Sequence, residues 1–483
     1  MLSNVAAIEQ AAAKTAVHSR GGAILLFDFA AAFPSISQEF LRTTLEYVGV
    51  PNDIRNVVDA LYFDNDCEIS LGGQTWEGFT LTAGVRQGCP LSPLLFVIVA
   101  DILLRRLHQD FTGTGSHAKR HTDVTIRAFA DDTAMTLDDV RSQLPRVIEL
   151  VQQYGDISGM KLAVHKTVLI PLRPLRTPAQ ETSTMQETYP AWARANVTHT
   201  ATYLGYFIGP GKSDTSWDKP LDKYRKRLTT WGALRAGTQY AIAAYESYVL
   251  SVLSFISQLE TPPPHVLAAE RKGLNRICRG PGNWFIPQDL YYAKEQYGQT
   301  RSITSLRTLA MAAKARVATL ELSEYRARAQ ELRNLLLTSR DWQEEGSHAC
   351  HTLMWHRHLE KWFQLTPYWV LDHNVSYIHS HYNIQPKRTY QQLLGKGEGD
   401  QQHNKAMTNL QRTVHRDIKM PPTQLPDQVA RMRNKLARWN LPSERKDAEA
   451  RLVLSNLQAI KNLQPTSLYS RFHNKLERMD DLP

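Results

Sequence analysis

In "AFADDTAMTL", residues 128–137, Asp131 and Asp132 are adjacent in an otherwise apolar segment. Adjacent carboxylates repel each other and apolar neighbours exclude water, so the pair is unfavourable unless positive charge compensates it. The longer segment "VTIRAFADDTAMTL" (124–137) alternates on either side of the aspartates. This alternation predicts two β-strands joined by a tight turn at or beside the aspartate pair.

A third aspartate, Asp28, lies at the end of another predicted strand, "GGAILLFDF" (21–29). Neighbouring strands of one sheet would bring it to the other two, although they are about a hundred residues away. Three converging carboxylates require cations, and a site with only oxygen ligands selects Mg²⁺ or Mn²⁺. Two such ions roughly 4 Å apart would stabilise the attacking and leaving oxygens of a phosphoryl transfer.

The rest of residues 1–210 predicts an α+β domain in which helices back an antiparallel sheet. We expect Ser37 to cap the helix "QEFLRTTLEYV", and Ser92 to cap a helix that starts at Pro93. Further expected elements are a hairpin at 67–81, a helix near 138–155, a strand at 160–170, a linker or surface loop at 173–190 and a last strand at 201–209. Beyond Gly211 the pattern is helical to about residue 340, and from 366 onward it predicts no firm architecture.

Composition places the chain among folded proteins of a reducing compartment. Hydrophobic residues make up 42% of the chain, enough for a packed core. Its four cysteines, at 67, 89, 278 and 350, are far apart, which argues against a disulfide framework and a structural zinc module. The longest apolar run, "LLFVIVADILL" (94–104), is too short to span a bilayer. We expect an intracellular protein, in the nucleus or the cytoplasm, without membrane contact.

The net charge of +10 is concentrated in the second half of the chain. Residues 1–210 contain 17 Lys and Arg against 21 Asp and Glu, whereas residues 211–483 contain 40 against 26. Such asymmetry indicates a polyanionic partner, of which nucleic acid is the commonest. Solvated helix faces rich in Lys and Arg are the alternative, and charge alone leaves both open.

Five segments resemble, in order and approximate spacing, the palm motifs A to E of reverse transcriptases. They are "LLFDFAAAF", "GVRQGCPLSPLLF", "FADDT", "GMKLAVHKT" and "YLGYFIG". The resemblance is strongest to the enzymes of non-LTR (LINE-type) retrotransposons. It implies a palm with a remnant of the fingers over residues 1–210 and a helical, thumb-like region over 211–340, and it leaves 341–483 without a role.

The resemblance implies DNA synthesis on an RNA template, from a DNA primer and deoxynucleoside triphosphates. It assigns two Mg²⁺ or Mn²⁺ ions to Asp28, the backbone carbonyl of Phe29 and Asp131, with Asp132 close by. The chain departs from the family pattern at Pro34, where motif A usually has an acid, and at Phe129, where many relatives have tyrosine. Neither departure removes a metal ligand.

The same resemblance assigns roles around the nucleotide. Phe33 would lie under the sugar and exclude a 2′-hydroxyl; by itself it would be an ordinary core phenylalanine. Lys166 would stand near the leaving pyrophosphate; otherwise it is a lysine on a strand edge. Gln87 and Gly88 would contact the nucleotide and the template base, or form only a turn before a helix. Arg86 would reach a phosphate, or is an ordinary exposed arginine.

In the thumb-like region, the resemblance assigns phosphate contacts to four basic residues of "LDKYRKRLTTWGALR" (221–235), namely Lys223, Arg225, Lys226 and Arg227. A solvated helix face is the alternative for these residues. The His-rich stretch at 347–358 does not match the zinc knuckle found after some such polymerases, and no endonuclease signature is apparent.

Two other functions stay open. An RNA-dependent RNA polymerase shares the motif order but generally has an acid where this chain has Phe33. A non-catalytic, nucleic-acid-binding retroelement remnant is the second, although three intact aspartates argue against long decay. Only 27 residues precede Asp28, so we expect the triphosphate grip of the fingers to be absent. The chain alone would then polymerise poorly, as a fragment or with a separate chain supplying fingers or endonuclease.

Overall fold

A computed structural model describes residues 1–320, apart from gaps at 20, 64, 112–123, 174–177, 235–237, 279–286, 292 and 295–298, together with 327, 331, 334 and 361–371. The chain divides into two compact units, Met1–Ser213 with Ala327–Trp369 and Asp214–Arg326 with Val370–Pro483. The His-rich stretch at 347–358 and nearly all of the region 341–483 lie outside the described residues.

The first unit combines helices with a mixed sheet and two separate hairpins. Its described helices are α1 (Leu2–His18), α2 (Ala32–Ser35), α3 (Gln38–Tyr47), α4 (Asn52–Tyr62), α5 (Ser92–Phe111), α6 (Val140–Ser158) and α7 (Pro178–Thr188). Its described strands are β1 (Ala23–Phe27), β2 (Asn65–Leu71), β3 (Gln74–Leu81), β4 (Ile126–Phe129), β5 (Asp132–Leu137), β6 (Val168–Pro171), β7 (Asn196–Val197), β8 (Ala201–Tyr203) and β9 (Tyr206–Ile208).

Strand β1 is the centre of the five-stranded sheet, whose order is β4-β5-β1-β6-β7. It pairs antiparallel with β5 on one side and with β6 on the other, and only β6 and β7 run parallel. All five residues of β1 are buried, because its continuous apolar sequence is covered on both faces. Leu25 and Phe27 belong to the hydrophobic core together with Phe96 and Val99 of α5 and Tyr154 of α6. The predicted α+β class is therefore confirmed.

Local sequence signals account for several elements. The Ser37 hydroxyl caps α3, as predicted, by accepting a hydrogen bond from the Phe40 N–H at 3.2 Å. Strands β2 and β3 form the predicted hairpin, and β4 and β5 form the predicted pair around the aspartates. Within the described residues every helix is too short or too polar to cross a membrane.

Two predicted boundaries near the sheet were wrong. Ser92 does not cap α5, which already begins at that residue; its hydroxyl instead donates to the Arg86 carbonyl at 2.5 Å and is hydrogen-bonded to the Tyr62 hydroxyl. The expected strand at 160–170 is reduced to β6, because residues 164–166 close into a 3₁₀ turn. Tertiary hydrogen bonds and a short turn overrode the local patterns in these segments.

Two further segments were also predicted incorrectly. Residues expected to form a linker form α7, in which hydroxyls such as that of Thr182 bond to the carbonyl four residues earlier and Met185 is buried. The expected last strand is a hairpin of β8 and β9, because Leu204 and Gly205 adopt positive φ angles of 49° and 84° and reverse the chain.

The second unit is helical over its described residues, as its sequence predicted. Its elements are α8 (Asp218–Ala233), α9 (Thr238–Ala244), a π-helical turn (Tyr245–Leu250), α10 (Ser251–Ser254), α11 (Pro264–Ile277), α12 (Pro287–Tyr291) and α13 (Leu306–Leu320). Helix α8 buries Leu221, Tyr224 and Leu228 along one face. The hydroxyls of Tyr224 and Tyr245 lie 3.2 Å apart and link α8 to the π-helical turn.

The glycine that ends α6 yields a stability prediction. Gly159 has a φ of 78°, and a Cβ there would lie 2.2 Å from the Ser35 carbonyl oxygen. Gly49 has a φ of 79° but open space around it. We expect Gly49→Ala to cost about 1 kcal/mol through backbone strain alone, and Gly159→Ala to cost roughly 2 kcal/mol more because of the clash. Urea denaturation of both variants measures the difference; equal midpoints would show that Ser35 does not constrain this turn.

Candidate active site

The sheet register brings the three aspartates to one end of adjacent strands. Phe27 of β1 pairs with Thr133 of β5, so Asp28 and Asp132 are the next residues along these two strands. Phe129 pairs with Asp132, which leaves Ala130 and Asp131 as a two-residue turn. Ala130 adopts a φ of 54°, a conformation that tight hairpin turns require and that alanine adopts rarely.

The three carboxylates interact electrostatically. Burial raises the pKa of the Asp132 carboxyl, and the negative charges of Asp131 and Asp28 raise it further. Burial and the two neighbouring charges all disfavour an ionised Asp132. The cluster is therefore unfavourable at neutral pH when no cation balances it.

The side chain of Lys166 also lies beside the aspartates. Its Nζ lies 3.3 Å from Asp28 Oδ2, and both side chains are more than a third exposed. Water screens an ion pair of this exposure, so it contributes little to stability. Lys166 belongs to the 3₁₀ turn before β6, and not to a strand edge as we had expected.

The backbone of Phe29 is oriented by an isolated antiparallel bridge to Leu162. The bridge uses the Ala30 N–H, which donates to the Lys161 carbonyl, and the Asp28 carbonyl, which accepts from Ala163 at 2.7 Å. Successive carbonyls of extended backbone point to opposite sides of the strand. The Phe29 carbonyl therefore points away from this bridge, while its side chain is buried in the core.

The donor chemistry of this cluster fits a hard divalent cation. Three carboxylates and a backbone carbonyl supply only oxygen, which Mg²⁺ and Mn²⁺ prefer. The pKa of the Asp132 carboxyl is raised mainly by burial and further by the charges of Asp131 and Asp28. No group of three or more His, Cys, Asp and Glu side chains among the described residues is arranged to hold a metal ion. The donor atoms of the three aspartates and of Phe29 are thus of the type that a divalent cation prefers.

The side chain of Phe33 is packed against the core on one side and partly exposed on the other. It lies in the one-turn helix α2, and its ring stacks on Phe96 with centroids 4.7 Å apart and planes 14° apart. The side chain is packed against the core but only partly buried. One face of the ring is therefore fixed by the core, while the side chain keeps a partly exposed surface.

The loop of Arg86, Gln87 and Gly88 is exposed, and its hydrogen bonds anchor it at Arg86. Ser92 holds the Arg86 carbonyl, and the Arg86 guanidinium donates to the Asn65 side chain of β2. Gly88 has a φ of 89° with open space around it, so the glycine serves the turn and leaves room beside the backbone. The exposed atoms of this loop are therefore the ones that are accessible to a ligand.

Two residues near the aspartates were missed from the sequence. The Tyr203 hydroxyl donates to the Arg127 carbonyl at 3.1 Å, and Asn4 Nδ2 donates to the Ala128 carbonyl at 2.9 Å. Burial raises the pKa of Tyr203, and the charge of Asp132 raises it further. Both side chains brace β4. The segment "YLGYFIG" marked Tyr203 only as part of a strand, and nothing in the sequence distinguished Asn4.

The four predicted phosphate-binding residues lie on α8 of the second unit. Lys223, Arg225 and Lys226 are exposed, and Arg225 is 3.3 Å from Asp222. The Arg227 guanidinium donates to the Tyr248 carbonyl at 2.7 Å. Three of these cations therefore face solvent, while the fourth is held against the π-helical turn.

Comparison with known families assigns the first unit. Residues 4–208 match the family model described as reverse transcriptase (RNA-dependent DNA polymerase). This part of the chain is a reverse transcriptase domain. The match includes the three aspartates, Lys166, Phe33 and the 86–88 loop, and it confirms the resemblance found in the sequence.

Relatives of this reverse transcriptase domain are Pol polyproteins of R2 elements, which are non-LTR retrotransposons. The chain is 30% identical over 156 residues to the polyprotein of element R2DM from Drosophila melanogaster, covering 32% of this chain and 14% of the relative. It is 28% identical over 147 residues to an R2 polyprotein of Popillia japonica, covering 30% and 24% respectively. The chain thus spans less than a quarter of the length of these relatives. The domain is therefore similar to part of these non-LTR Pol polyproteins.

A solved telomerase from Candida albicans, in a complex with a TWJ fragment of telomeric RNA, was also found. It is 12% identical to this chain, with a TM-score of 0.33, over 70% of this chain and 46% of the telomerase. A likeness at this TM-score carries no argument about the function of the chain.

The raised pKa of Asp132 predicts a pH-dependent gain of stability on neutralisation. Because its pKa is higher in the folded than in the unfolded chain, the ionised carboxyl destabilises the fold above that pKa. We expect Asp132→Asn to raise the melting temperature at pH 7, and the gain to disappear as the pH falls through the pKa. The control Asp156→Asn, at an exposed position of α6, should change little. A gain for Asp132→Asn that does not depend on pH would contradict this electrostatic origin.

Proposed function

We propose that this chain is an RNA-directed DNA polymerase of a non-LTR retroelement that transfers nucleotides with two divalent metal ions. The observation that carries the proposal is the β1–β5 register, which places Asp28 beside the aspartate pair within a reverse transcriptase domain. The proposed partners are an RNA template, a DNA primer and deoxynucleoside triphosphates.

In this proposal Asp28, Asp131 and the Phe29 carbonyl hold Mg²⁺ or Mn²⁺, and Asp132 adds negative charge beside them. When bound, the ions would polarise the primer 3′-hydroxyl and neutralise the charge that develops on the phosphate. The ions would also offset the mutual repulsion of the carboxylates, which adds to burial in raising the pKa of Asp132.

The neighbouring residues have distinct proposed roles. Lys166, which lies on Asp28 Oδ2 at 3.3 Å, would leave that carboxylate for the ions and stabilise the departing pyrophosphate through its charge or a proton. Phe33 would support the sugar and exclude a 2′-hydroxyl, while Gln87 and Gly88 approach the nucleotide and the template base and Arg86 reaches a phosphate.

The basic residues of α8 would hold the nucleic acid through its phosphates. Lys223, Arg225, Lys226 and Arg227 make sequence-independent contacts in this proposal, which suit a protein that moves along its template. Their excess over the acidic residues of the helix agrees with the net charge of the second half of the chain.

A non-catalytic, nucleic-acid-binding protein is the second candidate. The contact between Lys166 and Asp28 favours it, because the ammonium group already balances one carboxylate without a metal ion. An RNA-dependent RNA polymerase is disfavoured by Phe33, which stands where such enzymes generally have an acid.

The first functional prediction concerns Asp131. If it holds a metal ion, Asp131→Asn removes charge that stabilises the transition state, and primer extension on an RNA template should fall by about a hundredfold or more. The exposed Asp156→Asn control should extend primers like the parent chain. Extension by Asp131→Asn within twofold of the parent would contradict the assignment, and absence of extension by the parent itself would favour the non-catalytic candidate.

The second functional prediction concerns Phe33. Replacing its ring by the smaller Phe33→Val side chain should open space beneath the sugar and raise incorporation of ribonucleotides relative to deoxynucleotides. The ratio is measured in primer extension with each nucleotide type. Phe40→Leu, which alters another partly buried core phenylalanine, is the control for general loosening. If both variants are active and show the parental ratio, Phe33 is a core residue only.

A further inference from the structure

The second unit contains a cavity that no step of the proposed polymerase reaction uses. Its volume is about 330 Å³, and it is lined by Trp231 of α8, Tyr240 of α9, Tyr248 of the π-helical turn and Ile277 of α11. This volume is at the small end of the range for ligand sites, roughly 300 to 1,000 Å³. It therefore suits one small ring system.

The aromatic side chains of the cavity present exposed faces. Trp231 and Tyr248 are stacked, with centroids 4.6 Å apart and planes 11° apart. Tyr248 and Tyr240 remain 51% and 59% exposed. The exposed rings of Tyr240 and Tyr248 form a surface on which a further planar ring can stack.

The backbone at the cavity is also unusual. Residues Tyr245–Leu250 form a π-helical turn between α9 and α10, and such turns occur frequently at functional sites. The turn carries Tyr248 on the cavity side, while Tyr245 beneath it is fully buried and hydrogen-bonded to Tyr224. The exposed aromatic ring thus stands on a firmly packed segment.

A line of positive charge leads to the cavity. Lys223, Arg227 and Trp231 follow one another at four-residue intervals on α8, so they share one face of the helix. The Arg227 guanidinium donates to the carbonyl of Tyr248 at 2.7 Å, which places it at the rim of the cavity. From Lys223 to Ala233 the helix contains no acidic residue. The α8 side of the aromatic cavity therefore carries positive charge that attracts a polyanion.

We propose that this cavity binds an unpaired nucleobase of a single-stranded nucleic acid. The base stacks on Tyr240 and on the pair of Tyr248 and Trp231, and the adjacent phosphates contact Arg227 and Lys223. Base stacking on aromatic side chains next to a basic track is a general mode of single-strand recognition. The inference rests on the proposed function only in that both require binding of nucleic acid; it adds a contact to a base where α8 was assigned contacts to phosphates alone.

The test compares binding of a labelled single-stranded oligonucleotide with binding of an abasic oligonucleotide of equal length. Fluorescence anisotropy is measured for the full chain without nucleotides or divalent metal. The variants are Tyr240→Ala, Tyr240→Phe and, as a matched control, Tyr47→Ala, whose side chain is 81% exposed on α3. The base-bearing oligonucleotide is made as RNA and as DNA, so that the two sources of the base are distinguished.

We expect Tyr240→Ala to weaken binding of the base-bearing strand by roughly tenfold to a hundredfold and to leave the abasic strand unaffected. Tyr240→Phe keeps the ring and should bind like the parent chain, as should Tyr47→Ala. Lys223→Gln should weaken both strands alike and lower the dependence on salt. Equal binding of the base-bearing strand by Tyr240→Ala and the parent chain overturns the proposal.

Primer extension by the parent chain, run in parallel, separates this inference from the polymerase proposal. If the parent chain does not extend primers but Tyr240→Ala loses base-dependent binding, the polymerase proposal is refuted and the stacking site is supported. If the parent chain extends primers and binding of base-bearing strands does not depend on Tyr240, the polymerase proposal is supported and the stacking site is refuted.

Discussion

The hydrogen-bonded register of β1 between β5 and β6 is the constraint on which the site depends. It pairs Phe27 with Thr133 and Leu26 with Val168, and so fixes which residues follow at the end of each strand. A slip by one residue would turn alternate side chains of β1 to the opposite face. It would also separate Asp28 from Asp132. The buried apolar sequence of β1 thus positions polar groups that it does not itself contain.

The same register concentrates charge that the fold alone does not balance. The core beneath the strand ends, including Phe27 and Met135, supplies the packing that holds the carboxylates together despite their repulsion. The contact between Lys166 and Asp28 provides a partial and exposed compensation. Functional sites commonly reduce stability in this way, since the arrangement that suits a ligand is unfavourable without it.

Sequence patterns predicted the parts of the structure that local chemistry determines. The apolar run of β1, the hydroxyl cap of Ser37 and the alternation around Asp131 were sufficient for the strands and α3. Long-range contacts determined the rest. The hydroxyl of Ser92 is engaged by Arg86 and Tyr62 and not by its own helix, and the contact of Lys166 with Asp28 depends on strand pairing that no local pattern contains.

The helix α7 and the cavity of the second unit show two further limits. Ser and Thr have low helix propensity, so a segment rich in them was interpreted as a linker, although i to i−4 hydroxyl bonds satisfy these side chains within the helix. The aromatic residues of the cavity come from three elements. Spacing within α8 alone indicates the shared face of Arg227 and Trp231, but not that Tyr240 and Tyr248 line the same space.

We propose that the strand ends at Asp28 and the aspartate pair form a divalent cation site. Electron paramagnetic resonance of Mn²⁺ titrated into the full chain distinguishes free from bound Mn²⁺ without any catalytic turnover. We expect saturable Mn²⁺ binding that Mg²⁺ displaces and that is strongly weakened in Asp28→Asn. Binding that is absent in the parent chain, or unchanged in Asp28→Asn, would contradict it.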